Sequence, residues 1–233
     1  MEPTALILYS YWRSSCSYRV RIALHLKNLS YATRPTHLLK DGGQQNSKEY
    51  EAINPMKSVP ALVVTLPTTP EQTVTLTQSP AILEYLEEAF PSRRRLLPAD
   101  ALLRHRVREI CSIIVCDIQP VQNLKVLKHA VSLLPSDSTQ AEKDSTRTEW
   151  AQRYITSGLH ALETLMAKYA GQYSVGDDIT LADVALVPQI YNANRFKIDL
   201  TPYPPILRVY NSCIELEAFK TAHPSAQPDA EVE

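Results

Sequence analysis

The chain has 233 residues, 44% of them hydrophobic and 21% charged, enough apolar surface to bury a core in one large domain or two small ones. Its 24 Lys and Arg balance 25 Asp and Glu, which leaves no overall field to draw in nucleic acid or a membrane surface. The four cysteines, Cys16, Cys111, Cys116 and Cys213, make no C-x-x-C pair and have no His-rich partner segment, so neither a metal site nor a disulfide framework is expected.

At the start of the chain, Met1-Glu2-Pro3-Thr4 carries no basic region followed by a long apolar one, and no stretch of about 18 apolar residues occurs anywhere. A soluble cytoplasmic protein is the expectation. Leu6-Ile7-Leu8-Tyr9-Ser10-Tyr11 has the composition of a buried strand. Val20, Ala23, Leu24 and Lys27 then recur at helical spacing, with Ile22 and Leu26 widening the apolar face. Ser14-Ser15-Cys16-Ser17 therefore falls at a strand-to-helix junction. Backbone N–H groups at a helix start have no intrahelical partner and lie at the positive end of the helix dipole, so an anion is favoured there. A thiolate is such an anion, whether it belongs to the chain or to a bound thiol. The same residues also read as serine capping beside a small buried cysteine, and the local pattern leaves both readings open.

Tyr31 to Pro35 predicts a second strand, parallel to the first, completing a βαβ unit. Lys40 to Asn46 is a polar loop, after which Ser47 caps a short helix through Ile53 that Asn54-Pro55 stops. Val59 to Val64 reads as a strand opened by Pro60, and a cis Val59-Pro60 bond would turn the adjacent backbone toward an extended ligand. Leu66 to Gln72 is a turn and Val74 to Thr77 a strand. Ser79 as N-cap and Pro80 at the next position open a helix whose apolar face is Ile82, Leu83, Leu86 and Phe90. This second helix start, with Gln78 beside it, suits a carboxylate. The order βαβ then ββα predicts a thioredoxin-like α/β domain over residues 1–90.

Residues 91–99, with Arg93-Arg94-Arg95, read as a solvated linker. Strand signals then vanish, and residues 100–233 predict an all-helical domain ending in a polar tail. Leu103, Val107, Ile110, Ile114 and Ile118 follow steps of three and four, interrupted near Pro120 and resumed through Leu124 and Leu127. Leu134 to Ser145 is polar and small, a surface loop. Helices are expected from Thr148 to Tyr169, from Thr180 to Tyr191 and from Pro205 to Phe219, with capping-box spacing at Thr180-x-x-Asp183. The acidic end of the chain reads as frayed. The five glycines accommodate no G-x-G-x-x-G or G-x-x-x-x-G-K pattern, which removes dinucleotide and P-loop nucleotide binding.

The run Ser14-Ser15-Cys16-Ser17-Tyr18-Arg19-Val20-Arg21-Ile22-Ala23-Leu24 resembles the signature Ser-Ser-Cys-x-Trp-Arg-Val-Arg-Ile-Ala-Leu of zeta-class glutathione transferases, the maleylacetoacetate isomerase family. Tyr18 stands where the family has Trp. The similarity runs from about Leu8 to about Pro228 and takes in Asn54-Pro55-Met56-Lys57, Val59-Pro60, Gln78-Ser79, Gln119 to Leu124 and Asn194 to Pro204. Besides Tyr18, the departures are extra residues around Thr65 to Thr73 and the stretch from Ser136 to Thr148.

The resemblance implies a glutathione transferase fold, an α/β thioredoxin-like domain followed by an all-α domain, with glutathione as cofactor and a homodimer as the assembly. It places the thiol at Ser14, Ser15 and Cys16, with Ser17, Tyr18 and Arg19 completing that end of the site. The cysteinyl backbone would pair with Val59, the γ-glutamyl carboxylate would meet Gln78 and Ser79, and Gln45 would hold the glycine end. Gln119, Asn123 and the turn Leu127-Lys128-His129 would close from the helical domain, and Arg195 would hold a carboxylate of the acidic substrate. The implied catalytic set is Ser14, Ser15, Cys16 and Arg195, and the implied reaction is the cis-trans isomerisation of maleylacetoacetate in tyrosine and phenylalanine breakdown. Three other readings remain open at this point: a general transferase or dehalogenase acting on small α-halo acids, a thiol-disulfide oxidoreductase working through Cys16, and a non-catalytic module with a vestigial site.

Overall fold

The computed structural model describes residues 2–231 and divides into two units. One comprises the chain up to Leu96 together with the residues from Ile214 onward, and the other runs from Leu97 to Cys213.

In the first unit, β1 (Ala5–Ser10), α1 (Ser15–Leu26) and β2 (Ala32–Pro35) make the expected βαβ unit. The short α2 (Lys48–Ile53) follows, then β3 (Ala61–Leu66), β4 (Gln72–Thr77) and α3 (Ser79–Ala89). The strands lie in the order β2-β1-β3-β4, with β1 parallel to β2 and antiparallel to β3. Leu8 at the centre of β1 and Leu62 and Val64 of β3 are buried, as are Ile22 and Leu24 of α1 and Ile82 and Leu86 of α3. Continuous apolar strands of this kind belong to a sheet covered by helices. Ser47 caps α2 as expected, its side chain accepting from Tyr50 N. The Val59-Pro60 bond is cis.

Three expectations for this unit need correction. Ser79 is the first residue of α3 and not its cap: Gln78 occupies the cap position at φ 67°, ψ 109°, and makes no capping bond through its side chain. The linker exposes Arg93, Arg94 and Arg95, yet its backbone is held, because the buried Lys27 Nζ donates to the Arg94 carbonyl at 3.0 Å and Glu87 Oε1 accepts from Leu96 N at 3.0 Å. Lys27 and Glu87 themselves pair at 2.5 Å.

The third correction concerns the end of the chain, which packs with this unit and not with the helical domain of residues 100–233. The expected last helix is two: α8 (Pro204–Ile214), which ends the second unit, and α9 (Glu217–Ala222), which lies against α1. The tail beyond α9, expected to fray, is bonded to the rest of the unit as far as Glu231; the last two residues lie outside those described. Gln227 Nε2 donates to the Thr221 and His223 carbonyls at 2.9 Å each, Asp229 Oδ2 accepts from Trp12 N at 3.0 Å, and Glu231 pairs with Lys40 and, at 3.4 Å, with His37. A polar composition suggests solvent, but these particular polar groups are satisfied by the chain itself.

The second unit is all-helical. Asp100 caps α4 (Ala101–Ser112), and the amphipathic run continues beyond it as a π-helical segment, Ile113–Ile118. The spacing alone predicted an unbroken α-helix there. Gly158 of α6 (Gln140–Tyr169) lets this segment approach closely, since a Cβ at that position would lie 2.2 Å from Ile118 Cδ1. Between them in sequence is α5 (Leu124–Ser132), capped by Asn123. The predicted loop from Leu134 to Ser145 ends early, for α6 begins at Gln140 and runs 30 residues. Its start is a capping box that the loop reading missed: Thr139 accepts from Glu142 N, and the Glu142 carboxylate accepts from Thr139 N at 2.7 Å. The predicted capping box at Thr180 and Asp183 is present and opens α7 (Leu181–Arg195), which continues beyond Tyr191 with Pro188 inside it.

Candidate active site

The first-unit residues gather at two helix starts. Ser14 is the N-cap of α1, its Oγ accepting from Ser17 N at 3.2 Å and its carbonyl from Tyr18 N at 2.9 Å. Ser15 is the first helical residue and Cys16, a half-buried free thiol, the second. Three residues on, one helical turn from Cys16, Arg19 is only 1% exposed. Its Nη1 donates to Cys16 Sγ at 3.8 Å and to Ser79 Oγ at 3.3 Å. The Ser79 hydroxyl at the start of α3 is thus tied to the thiol at the start of α1 by one buried guanidinium. The Nε and Nη2 atoms of Arg19 have no hydrogen-bond partner.

The loops around these helix starts are fixed by a second buried arginine. Arg21 Nε donates to the Ala222 carbonyl at 3.0 Å, Nη1 to Ser10 Oγ at 3.0 Å and Nη2 to the Trp12 carbonyl at 3.0 Å. The end of β1, the turn after it and the end of α9 are therefore held to α1. Sequence reasoning assigned Arg21 no role, although a charged residue on an otherwise apolar helix face was the available signal. Val59 packs with Tyr11, Trp12 and Tyr50, and the Ser58 carbonyl before it accepts from Tyr50 Oη at 2.8 Å and Asn54 Nδ2 at 2.6 Å. Gln45 is buried in a short turn, its Oε1 without a partner. Gly43, at φ 96°, makes room for it: a Cβ there would lie 2.6 Å from Gln45 Nε2. Ser17 is fully buried with its Oγ unpartnered. The Tyr18 side chain is buried. Its Oη donates to the Phe219 carbonyl at 3.4 Å and its ring meets His223 edge-on, so this ring packs on α9 and the residue after it.

In the second unit, the π-helical segment leads into Gln119, whose N–H donates to the Ile114 carbonyl at 2.9 Å. Asn123 Oδ1 accepts from Lys125 N at 3.1 Å, which commits that side chain to starting α5. Leu127 is buried, whereas Lys128 and His129 are exposed. Arg195, the last residue of α7, is exposed with its guanidinium 5.9 Å from the centroid of the Phe196 ring. A cation at a helix C-terminus is favoured by the dipole. The base of that helix is rigid: Asp183 is fully buried and accepts from Ser174 N, Thr180 N and Thr180 Oγ1 at 2.8, 2.8 and 3.1 Å. Burial pushes its carboxyl above the usual range, and the bonds from Thr180 and Ser174 oppose that rise.

The glutathione S-transferase N-terminal domain family matches residues 13–89 and the glutathione S-transferase C-terminal domain family residues 126–221. Maleylacetoacetate isomerase of Mus musculus is 48% identical over 233 residues, covering 100% of this chain and 99% of its own. Among solved structures, maleylacetoacetate isomerase from Anaeromyxobacter dehalogenans with bound GSH in the active site is 44% identical, covers 99% of this chain and 100% of its own, and superposes with a TM-score of 0.85. A bacterial maleyl pyruvate isomerase described as a zeta-class glutathione S-transferase is 42% identical, covers 97% and 100% of the two chains, and has a TM-score of 0.84. The chain belongs to the zeta-class glutathione transferases, the maleylacetoacetate isomerase family.

Within this zeta-class chain, one position stands out that capping rules could not have found. Gln78 has a positive φ, a conformation that costs a non-glycine residue on the order of 1 kcal/mol or more, and it precedes Ser79 at the start of α3. Strain of this kind persists where surrounding structure imposes it, commonly beside a ligand. The sequence marked Gln78 as a residue beside a helix start that suits a carboxylate, with no sign of its backbone conformation.

Proposed function

We propose that this zeta-class transferase catalyses the glutathione-dependent cis-trans isomerisation of maleylacetoacetate to fumarylacetoacetate, a step of tyrosine and phenylalanine breakdown. The observation that carries this reading is the arrangement of Ser14, Ser15 and Cys16 at the start of α1, tied through Arg19 to Ser79 at the start of α3. Residues present on the first unit fit the cofactor. The unpartnered Nε and Nη2 of Arg19 suit an anion, and the unpartnered Gln45 Oε1 suits a donor such as a peptide amide. Ser14, Ser15, Cys16, Ser17 and Arg19 would hold the thiol end, Val59 the cysteinyl backbone, Gln78 and Ser79 the γ-glutamyl carboxylate, and Gln45 the glycine end.

Bound glutathione supplies a thiolate that adds reversibly to the cis double bond, making it a single bond free to rotate before the thiol leaves. The chain's own contribution is electrostatic and positional. The first-turn N–H groups of α1 and the Ser15 hydroxyl favour the thiolate over the thiol. The planar guanidinium of Arg195 grips a substrate carboxylate at two points and orients the double bond. The resemblance would add Gln119, Asn123, Leu127, Lys128 and His129 of the helical unit as further glutathione-binding residues. The enzyme works as a cytoplasmic homodimer; Leu102 and Leu103 of α4 are 63% and 44% exposed, apolar surface that a second copy would cover. No helix of the described residues is long and apolar enough to cross a membrane.

The test is direct. Maleylacetoacetate incubated with the protein should be converted to fumarylacetoacetate only when glutathione is present, with the glutathione recovered intact. Conversion without glutathione, or its stoichiometric consumption, would refute the reading.

A further inference from the structure

Three sources of positive potential converge in the first unit. The start of the 12-residue α1 and the start of the 11-residue α3 each present unpaired backbone N–H groups at the positive end of a helix dipole. Between them lies the Arg19 guanidinium, 1% exposed, reaching Cys16 Sγ on one helix and Ser79 Oγ on the other. Neither contact is to a carboxylate. Two further N–H donors of the same guanidinium, Nε and Nη2, have no hydrogen-bond partner. A buried cation with unpartnered donors is costly unless an anion or a strong acceptor compensates it.

The neighbouring charges are engaged elsewhere or add to the imbalance. On α1, Arg21 is a second buried cation, and His25 is held below the usual histidine range by burial and by Arg21. On α3, Glu87 pairs with Lys27. On α9, Lys220 pairs with Glu215, while Glu217 accepts from the Thr221 hydroxyl at 3.0 Å. After α9, His223 is lowered by burial and by Arg21.

We infer that Arg19 is a positioning residue whose buried charge couples the two anionic ends of bound glutathione, holding the thiol at the α1 start as thiolate and the γ-glutamyl carboxylate at the α3 start. This rests on the proposal that glutathione is the cofactor. Through Cys16 and Ser79, the guanidinium fixes both helix starts in register, and its charge acts on the ligand at short range in a water-poor site, where Coulomb terms are large. It forms no bond and gives up no proton. A lysine would supply the charge but not the fork that spans both helices.

The experiment uses the full-length protein with glutathione and with S-methylglutathione, which keeps the γ-glutamyl group but has no ionisable thiol. Thiolate absorbance near 240 nm of bound glutathione is followed against pH in the wild type, Arg19→Gln and Arg19→Lys, and affinities for both ligands are measured by calorimetry. In Arg19→Gln the midpoint for the bound thiol should rise by roughly one pH unit or more. Glutathione affinity at pH 7 should fall at least tenfold, and that of S-methylglutathione by less. Arg19→Lys should recover part of the midpoint. A folded Arg19→Gln that binds glutathione with an unmoved midpoint overturns the inference and leaves the cofactor reading standing, whereas a wild type that binds neither ligand overturns both. If Arg19→Gln does not fold, Arg19→Lys and Ser79→Ala decide: each should raise the midpoint by a smaller amount, and an unmoved midpoint in both refutes the role.

Discussion

The two units present their candidate site residues in opposite ways. In the first, the cations are buried and tied down: Arg19 to Cys16 and Ser79, Arg21 to Ser10, Trp12 and Ala222, and Lys27 to Glu87 and the linker backbone. In the second, Lys128, His129 and Arg195 are exposed at helix surfaces and ends, on helices whose own starts are firmly capped. Under the proposed function, the difference would separate two tasks. Stabilising a thiolate requires dipoles and charges that are already in place before the ligand arrives. Receiving a small acid that must turn about a bond requires groups that can follow it, and solvated side chains on rigid helices provide that.

The contrast predicts that replacing the Arg21 network costs stability while substitutions at the exposed positions cost function alone. The largest effect is expected at Arg21. Replacing it with methionine removes donors to Ser10, Trp12 and Ala222 and strands buried acceptors, so unfolding free energy should drop by roughly 3 kcal/mol. Chemical denaturation would register it as a lower midpoint, and a drop below about 0.5 kcal/mol would show that the arginine network is incidental.

At the start of α1 the comparison sharpens to single atoms. Ser15→Ala should lower kcat on the order of 100-fold, the cost of one donor to a developing or bound anion, while Cys16→Ala should keep appreciable glutathione-dependent turnover. A Cys16→Ala protein that binds glutathione but is dead in turnover would reverse that order and restore the oxidoreductase-like reading of Cys16.

A smaller effect comes from pH. His25 and His223 are both held below the usual histidine range, by burial first and by the Arg21 charge second. Their neutral forms are thus favoured in the folded state, and the unfolded chain takes up protons that the folded chain does not. Stability from this source is present above about pH 6.5, the ordinary histidine value, and is lost as pH falls through the lowered folded values. Urea midpoints should therefore decline from pH 7.5 to 5.5, with a shallower decline in His223→Asn. Parallel declines in both proteins would remove His223 from the account.

Much of this organisation was legible in the residues. Apolar runs and capping signals such as Ser47 and Thr180-x-x-Asp183 are local, and local rules located β1, α2 and the start of α7. What escaped was non-local. The ordered tail depends on Trp12, His37 and Lys40 receiving Asp229 and Glu231 from the far end of the chain. The π-helical segment packs its Ile118 against Gly158 of another helix. Gln78 takes a backbone conformation that side-chain chemistry would not choose. The missed capping box at Thr139 and Glu142 and the charge of Arg21 on an apolar helix face were local signals, the first overruled by the polar composition around it.

The division of labour between the units is tested most directly at Arg195. In Arg195→Ala, kcat/KM for maleylacetoacetate should fall by an amount corresponding to about 1.5 to 3 kcal/mol, a lost charge-assisted hydrogen bond in the transition state. Arg195→Lys should restore part of it. Glutathione Kd and turnover of the uncharged electrophile chlorodinitrobenzene should remain near wild type. Equal losses on charged and uncharged substrates, or a weakened glutathione Kd, would contradict the account and make Arg195 a structural residue.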